Sequence, residues 1–424
     1  MPTSTVPTWG ETLSKKKFST LQGPINTEIA IIGGGLAGIL TAYLLLQDGH
    51  TVAVLESQPT IGKGMTMYTT AFLTKSLDTD FADMISIYGA RKAALAVEAH
   101  QSAIETIAAI VKKEKIDCEF TWISNITYAN TPDDFSGLQK EADALEQLGI
   151  PATLKRTSRS GFKNAGSLEL KRQAKFHPTK FLSALVDRVT AMGGTIYTNA
   201  EVNSIKETDT GVVIMTSEKM KVTAEQAIVC TYQPIKSLST FAKKGQYQSY
   251  VFELAIPKGL IAEATYEDTM NPYHYMRIDA GSGPMDRMIV GGEDHRVEIK
   301  MDPERNFAAL EEYVQSILQG VKYQIKRKWF GLILEPSDGL PLIGRSTQRQ
   351  LVATGFSGNG MTYSMIAATV FRDIIGKRKN PWIKIYDPTR TPTLKQLAFK
   401  GYDYGQELIE GAGKNIFHSK DTKK

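Results

Sequence analysis

Gly33, Gly35 and Gly38 stand in the spacing GxGxxG inside "EIAIIGGGLAGILTAYLLLQDGHTVAVLE", residues 28–56, and Glu56 closes the stretch. Each glycine suits one task beside a pyrophosphate: the first permits a tight turn, the second lets the backbone approach, and the third packs helix on strand. The N–H groups at the start of the following helix face the anion, and a carboxylate about 20 residues further on meets a ribose hydroxyl. That chemistry requires a strand on either side and a helix between. "EIAIIG" and "TVAVLE" are β-branched runs of the buried parallel kind, and Leu36, Ile39, Leu40, Tyr43 and Leu44 recur at helical spacing, giving the helix one apolar face. Strand, glycines, helix, strand and acid in this order favour a dinucleotide site over an ordinary glycine turn. The motif leaves FAD and NAD open, and Glu56 disfavours only NADP.

Two further glycine clusters narrow the choice. Directly after Glu56, Ser57 opens "SQPTIGKGMTMYTTAFLT", in which Gly62 and Gly64 are followed by Met65, Thr66, Thr69 and Thr70. A loop of small residues there can fold back over a second phosphate or a flavin ring, which a nicotinamide enzyme does not need. Near the other end, "LVATGFSGNGMTYSMIAATVFRDIIG" runs a strand into Gly355, Gly358, Asn359 and Gly360, and a helix begins near Met361. The positive end of that helix would favour charge gained by a reduced flavin.

These clusters, with "FHPTKFLSAL", "EPSDGLPLIGR" and "NPWIKIYDPTR", resemble the D-amino-acid oxidase/glycine oxidase (DAO) family of FAD-dependent amine oxidoreductases over about residues 28–390. The likeness is greatest to the bacterial branch that often carries a C-terminal Rieske iron–sulfur domain. It implies a fold in which a Rossmann-type α/β domain binds FAD and a mixed-sheet α+β domain roofs the substrate. It also implies that Gly33, Gly35, Leu36 and Ala37 meet the pyrophosphate and that Glu56 meets the ribose. Gly64, Met65 and Thr66 would line the flavin side, the Val202 backbone would meet the adenine, and Gly360, Met361 and Thr362 would contact the pyrimidine edge. In covalent-flavin relatives a histidine follows the second glycine cluster; Tyr68 stands at that position, which favours non-covalent FAD. Glycine-oxidase-like members carry a carboxylate-clamping arginine before their DGLP, whereas "WFGLILEPSDGLP" has Ile333 in its place. A free α-amino acid is therefore a doubtful substrate.

The elements that would position these groups can be read in outline. Residues 28–80, 166–232 and 330–390 are expected to form the FAD-binding domain, 81–165 and 233–329 the substrate domain, 1–27 an N-terminal arm and 391–424 a C-terminal extension. Residues 81–115 read as long helical material, "EFTWISNITYAN" as a strand, and "DDFSGLQKEADALEQLG" as a helix. Pro178 near a first helical position and a closing Gly pair mark "FHPTKFLSALVDRVTAMGG" as a capped helix returning to the core. "GVVIMTS" and "QAIVCTY" read as strands of the nucleotide domain, "YQSYVFELAI" and "RMIVGGE" as roof strands. His177 and Cys230 are expected to be structural. Tyr273, Tyr275 and Arg277 alternate in "PYHYMRID", so all three can face one side of a roof strand as candidates for the substrate pocket.

Composition sets outer bounds. Of 424 residues 42% are apolar, enough for a sizeable core, and 50 Lys+Arg against 45 Asp+Glu leaves a mild +5 that does not imply nucleic-acid binding. Cys118 and Cys230 support neither a disulfide framework nor a metal site. With no secretory pattern or apolar membrane span, a soluble cytoplasmic protein is expected. After Arg390 there is His418 and no cysteine, short of the two Cys and two His of a Rieske centre. Electrons are thus expected to leave through oxygen or a separate carrier. The leading expectation is oxidation of a C–N bond in an amine or amino-acid-like molecule by hydride transfer to flavin N5. The alternatives are a dehydrogenase of hydroxy acids or other non-amine donors, and a non-catalytic flavin-binding protein.

Overall fold

A computed structural model describes residues 6–156, 161–232, 244–299, 301–396 and 398; the polar tail with His418 and most of the expected 391–424 extension lie outside the described residues. Strand β1 (Ile25–Ile32), helix α1 (Leu36–Gln47) and strand β2 (Val52–Leu55) form the βαβ unit. β1 and β2 pair in parallel, Ile29–Ile32 against Val52–Leu55. Strand Thr195–Tyr197 extends the sheet beside β2, and Lys221–Val229 and then Gln350–Thr354 extend it beyond β1, all in parallel. The sheet is covered on both faces, which is why β2 is an unbroken apolar run with every residue buried.

Helix α1 departs from the amphipathic expectation. Leu36 through Leu45 are all buried, because α1 packs against helices Pro178–Ala191 and Gly360–Ile375 as well as on the sheet. A helix with neighbours on several sides has no solvent face to keep polar. Gly38 shows how tight this packing is: a Cβ there would stand 1.9 Å from the Gly33 carbonyl oxygen. Gly38→Ala should therefore lower stability by about 1–3 kcal/mol, the usual range for overpacking a core. Thermal unfolding followed by circular dichroism would show a lower midpoint; an unchanged midpoint would mean that helix and strand part without penalty.

The second sheet is mixed and lies over the first. Its strands run in the order Gln324–Pro336, Lys244–Pro257, Met285–Arg296, His274–Asp279, Thr265–Asp268, Thr121–Ala129, Gly166–Lys175 and Phe72–Leu73. Neighbours are antiparallel except Thr265–Asp268 and Thr121–Ala129, which are parallel. The expected boundary at 330 cuts the strand Gln324–Pro336, and the one at 166 assigns all of Gly166–Lys175 to the FAD-binding domain, whereas both strands pair within the roof sheet. Alternation in a sequence announces a strand but does not say which sheet it joins. Residues 81–115 likewise form two helices, Phe81–Tyr88 and Ala90–Glu114, broken at Gly89 with φ +80°. Among the described residues no helix is long and apolar enough to cross a membrane.

Within the expected N-terminal arm, Trp9 belongs to the core. Trp9 is 0% exposed, donates Nε1 to the Thr69 carbonyl at 2.6 Å, and has the guanidinium groups of Arg277 and Arg287 each 5.1 Å from its ring. His177 meets the same ring edge-on at 4.7 Å and caps helix Pro178–Ala191 by accepting from the Lys180 N–H at 3.4 Å. Burial pushes the His177 imidazole down to about 4, so it stays neutral. The structural role expected for it agrees with this placement.

Candidate active site

Between the two sheets lies a cavity of about 880 Å³. Its floor is the carboxyl end of the parallel strands, where ligands bind in open α/β sheets. Gly33, Gly35, Leu36 and Ala37 line it at the β1–α1 turn, Glu56 and Ser57 at the end of β2, and Val202 beyond them. Gly64, Met65, Thr66 and Tyr68 form one side, and Gly358, Asn359, Gly360 and Met361 close the far end. Three glycine clusters, the first and last more than 300 residues apart in the chain, thus meet around one cavity. Gly38 and Thr362 do not line the cavity. Gly38 has the packing role described above, and Thr362, 0% exposed, points from the first turn of helix Gly360–Ile375 into the interior.

The cradle suits a dinucleotide. Gly33 adopts φ +110°, which a side chain would resist, and a Cβ there would stand 2.7 Å from the Cys230 carbonyl oxygen. Among the described residues the only near neighbour of a Cβ at Gly35 is Thr66 Oγ1, at 3.4 Å, so the missing side chain leaves cavity space and not packing space. The Leu36 N–H donates to that same hydroxyl at 3.1 Å, tying the second glycine cluster to the start of α1. Glu56 accepts from the Gly34 N–H at 2.6 Å and the Gln58 N–H at 2.7 Å. Oε1 also accepts from the Ser57 hydroxyl at 3.1 Å, so Glu56 braces the turn while Oε2 keeps a further lone pair for a ribose hydroxyl. At the other end, Asp78 accepts from the Gly358 N–H at 3.2 Å and from the Asn359 amide at 3.1 Å. A carboxylate thereby shares the positive helix end expected to face the flavin.

The roof brings in groups that sequence reading did not single out. Glu267 sits opposite Tyr275 in register, and Tyr275 opposite Gly291. A Cβ on Gly291 would stand 2.4 Å from the Tyr275 ring, so the glycine makes room for it. Tyr275 shares a 2.8 Å hydrogen bond with the Ser249 hydroxyl, and Phe72 meets its ring edge-on at 6.0 Å. Tyr273, Tyr275, Glu267 and Ile333 all line the cavity.

Arg277 does not line it, contrary to the expectation from alternation. It shares a strand face with Tyr275, but its guanidinium is consumed by the Thr70, Ala71 and Phe176 carbonyls at 2.9–3.1 Å and by Asp279 at 2.8 Å. At 1% exposure it pins the loop that follows the second glycine cluster. Asp279, facing Arg277, Arg287 and Lys175, is held well below the usual carboxylate range by these cations despite its burial. Cys230 lines the cavity beside Gly33, with burial pushing its thiol up to about 12.

Charge is distributed unevenly over this wall. Among the described lining residues the one cationic side chain is Lys63, in the second glycine turn, and there is no arginine or histidine. The roof side instead presents Asp78 and Glu267. Glu267 is pushed up to about 7, first by burial and then by the charges of Asp78, Asp80 and Asp268, against the opposing hydrogen bond from Asn125. "EATYEDTM" did carry a trace of this, an acid beside an aromatic in a short strand, but nothing in it said which side was roofed.

A parallel sheet with a phosphate cradle, closed by a mixed roof sheet over one long cavity, defines a two-domain flavoenzyme. Residues 28–374 match the model of the DAO family, FAD dependent oxidoreductase, and the chain belongs to that family. It is 30% identical over 95% of its length to Bacillus subtilis YhfW, whose name describes a Rieske 2Fe-2S iron-sulfur protein and of which 80% is covered. It is 24% identical to the gamma-glutamylputrescine oxidoreductase of Escherichia coli, over 84% of this chain and 85% of that one. Among solved structures it is similar to glycine oxidase from Geobacillus kaustophilus, at TM-score 0.72 and 17% identity, over 87% of this chain and 99% of that one. The protein is accordingly an FAD-dependent oxidoreductase.

Tyr68 lines the cavity and its carbonyl accepts from the Trp329 indole at 3.0 Å. Acid precipitation of the purified protein is expected to release all the flavin into the supernatant. Colour retained in the pellet, with a flavin–peptide mass at Tyr68, would establish a tyrosyl link instead.

Proposed function

We infer that the protein oxidises a C–N bond of an amine whose cationic nitrogen, and not an α-carboxylate, is the group recognised. The observation that carries this is the roof: Ile333 where a carboxylate clamp would stand, and Asp78 and Glu267 in reach of the same space. FAD supplies the two-electron centre that takes up the hydride from the carbon bearing nitrogen. The cradle from Gly33 to Ala37, Glu56, and the Gly64–Thr66 and Gly358–Met361 segments would hold it.

The chain's own groups do the remaining work. A carboxylate that titrates near 7 attracts an ammonium ion and can also take one of its protons. Glu267 therefore accepts the proton, the nitrogen lone pair forms the C=N bond as the hydride leaves, and water hydrolyses the iminium to a carbonyl compound and free amine or ammonia. Tyr273 and Tyr275 wall the donor carbon and restrict water. The electrons pass on to oxygen or a separate carrier. The gamma-glutamylputrescine relative, named for an amine-bearing molecule, supports this reading.

The test is anaerobic mixing of the FAD-loaded protein with panels of amines, α-amino acids and hydroxy acids. Amines are expected to bleach the flavin fastest. Rapid bleaching by glycine or D-alanine would show that a clamp other than Ile333's position exists; bleaching by hydroxy acids alone would reject an amine substrate.

A further inference from the structure

A second cavity of about 810 Å³ adjoins the first and shares with it Asp78, Glu267, Tyr273, Ile333 and Asn359. It is an antechamber at the roof end of the reaction site. In a chain of net charge +5, its wall carries ten carboxylates against one arginine and one histidine. Two of the acids, Asp268 and Glu293, are bridged by His274 at 3.0 and 3.2 Å. Glu141, Glu267 and Asp294 have no lysine or arginine ion-pair partner among the described residues. Burial and the neighbouring carboxylates push each of these three up to about 7.

Orphaned hydrogen-bonding atoms on the same wall point to a ligand. Asn306, 4% exposed, gives its amide N–H to the Glu293 carbonyl at 2.9 Å and leaves Oδ1 without a partner. Asp294 Oδ1, His295 Nδ1, Thr269 Oγ1 and Ser357 Oγ are also unpartnered. Burial pushes His295 down, so its ring is neutral. Every one of these atoms can accept a hydrogen bond, and none belongs to a cation. A wall of buried acceptors and carboxylates without a cationic partner is costly when nothing fills it. A ligand rich in N–H⁺ donors satisfies both features at once; a carboxylate or phosphate could take the two hydroxyls but would leave the Asn306 and Asp294 oxygens unpaired and add to the carboxylate charge.

We propose that the antechamber holds a second cationic nitrogen of the substrate, so that the preferred donors are linear diamines or polyamines oxidised at one end and anchored at the other. The proposal rests on the amine reading above and specifies its substrate class. One ammonium lies in the reaction cavity beside Glu267 and Asp78; the chain runs past Tyr273 and Ile333; the next ammonium sits among Asp294, Asn306 and Asp133.

The experiment follows flavin reduction in the holoenzyme with 1,4-diaminobutane, a linear triamine and butylamine, each at low and at high salt. The two oligoamines are expected to show apparent dissociation constants about tenfold or more below that of butylamine, the scale of one charge-assisted contact, and to lose that advantage as salt rises. The double variant Asp133→Asn/Asp294→Asn should lower the oligoamine-to-butylamine ratio, a readout that a general loss of stability would not move. Equal constants for all three amines would overturn the antechamber proposal and leave the amine reading standing. Reduction by hydroxy acids with no response to any amine would remove that reading and this proposal together.

Discussion

Gly35→Val is expected to yield a folded, colourless protein. The conformation at Gly35, φ −77° and ψ −176°, is open to any residue, and a Cβ there has one neighbour, the Thr66 hydroxyl at ordinary contact distance. The apoprotein should therefore tolerate valine. The pyrophosphate should not, because its approach to the first turn of α1 is blocked. Losing two charge-assisted contacts to backbone N–H groups costs about 3–6 kcal/mol, or more than about a hundredfold in flavin affinity. The measurements are visible absorbance of the purified variant, FAD titration by fluorescence quenching, and far-ultraviolet circular dichroism for the fold. Full flavin content would show that the cradle from Gly33 to Ala37 is not the pyrophosphate site. The comparison with Gly38→Ala is informative because the two glycines, three residues apart, should fail differently. One has empty space above its Cα and loses ligand; the other has the Gly33 carbonyl there and loses stability.

Glu267→Gln should reduce kcat/KM for amines by about 10- to 150-fold, the range expected when a charged partner is replaced by a neutral isostere. Glutamine can still accept from the Asn125 amide, which lies 3.4 Å from Glu267 Oε2, so local geometry should survive. The pH profile separates this role from a merely structural one. In the native protein the rate of flavin reduction should rise as Glu267 loses its proton near 7, and that limb should vanish in the variant. Stability should move the other way. The carboxyl is raised above its unfolded value of about 4.5, so between about pH 4.5 and 7 the folded state binds more protons and stability falls as pH rises. Glu267→Gln removes that penalty. The variant should unfold at a higher temperature than the native protein at pH 8, with the difference gone by pH 4. A slower enzyme that is also less stable at pH 8 would argue that Glu267 only supports the roof.

Local chemistry was legible wherever neighbours in the chain act together. The GxGxxG turn, Pro178 at a helix start, and the alternation of Tyr273 with Tyr275 all express rules that operate over a few residues. The family resemblance reached further and agreed with the fold, since the three glycine clusters do converge on one cavity. What failed was each step from a local pattern to a partner. The two faces of a strand are known from alternation, yet Arg277 left the pocket because three carbonyls and Asp279 lie two residues beyond Tyr275. Nothing in "TVPTWGET" reveals that the guanidinium groups of Arg277 and Arg287 stand against the Trp9 ring and make it part of the core.

The electrostatics of the site could not be read from the chain at all. Asp78, Glu267 and Asp294 are each ordinary in their own segments, and the chain as a whole is basic. They act together, and the protons of Glu267 and Asp294 become hard to lose, only when folding removes water and sets the three around one cavity. Coulomb energy depends on distance and local dielectric, and neither exists until the sheets close. Residue type and spacing thus announced a dinucleotide cradle, and the family resemblance they carried named FAD as the cofactor. Tertiary structure decided the sign of the pocket, because that sign is a sum over residues the sequence keeps apart.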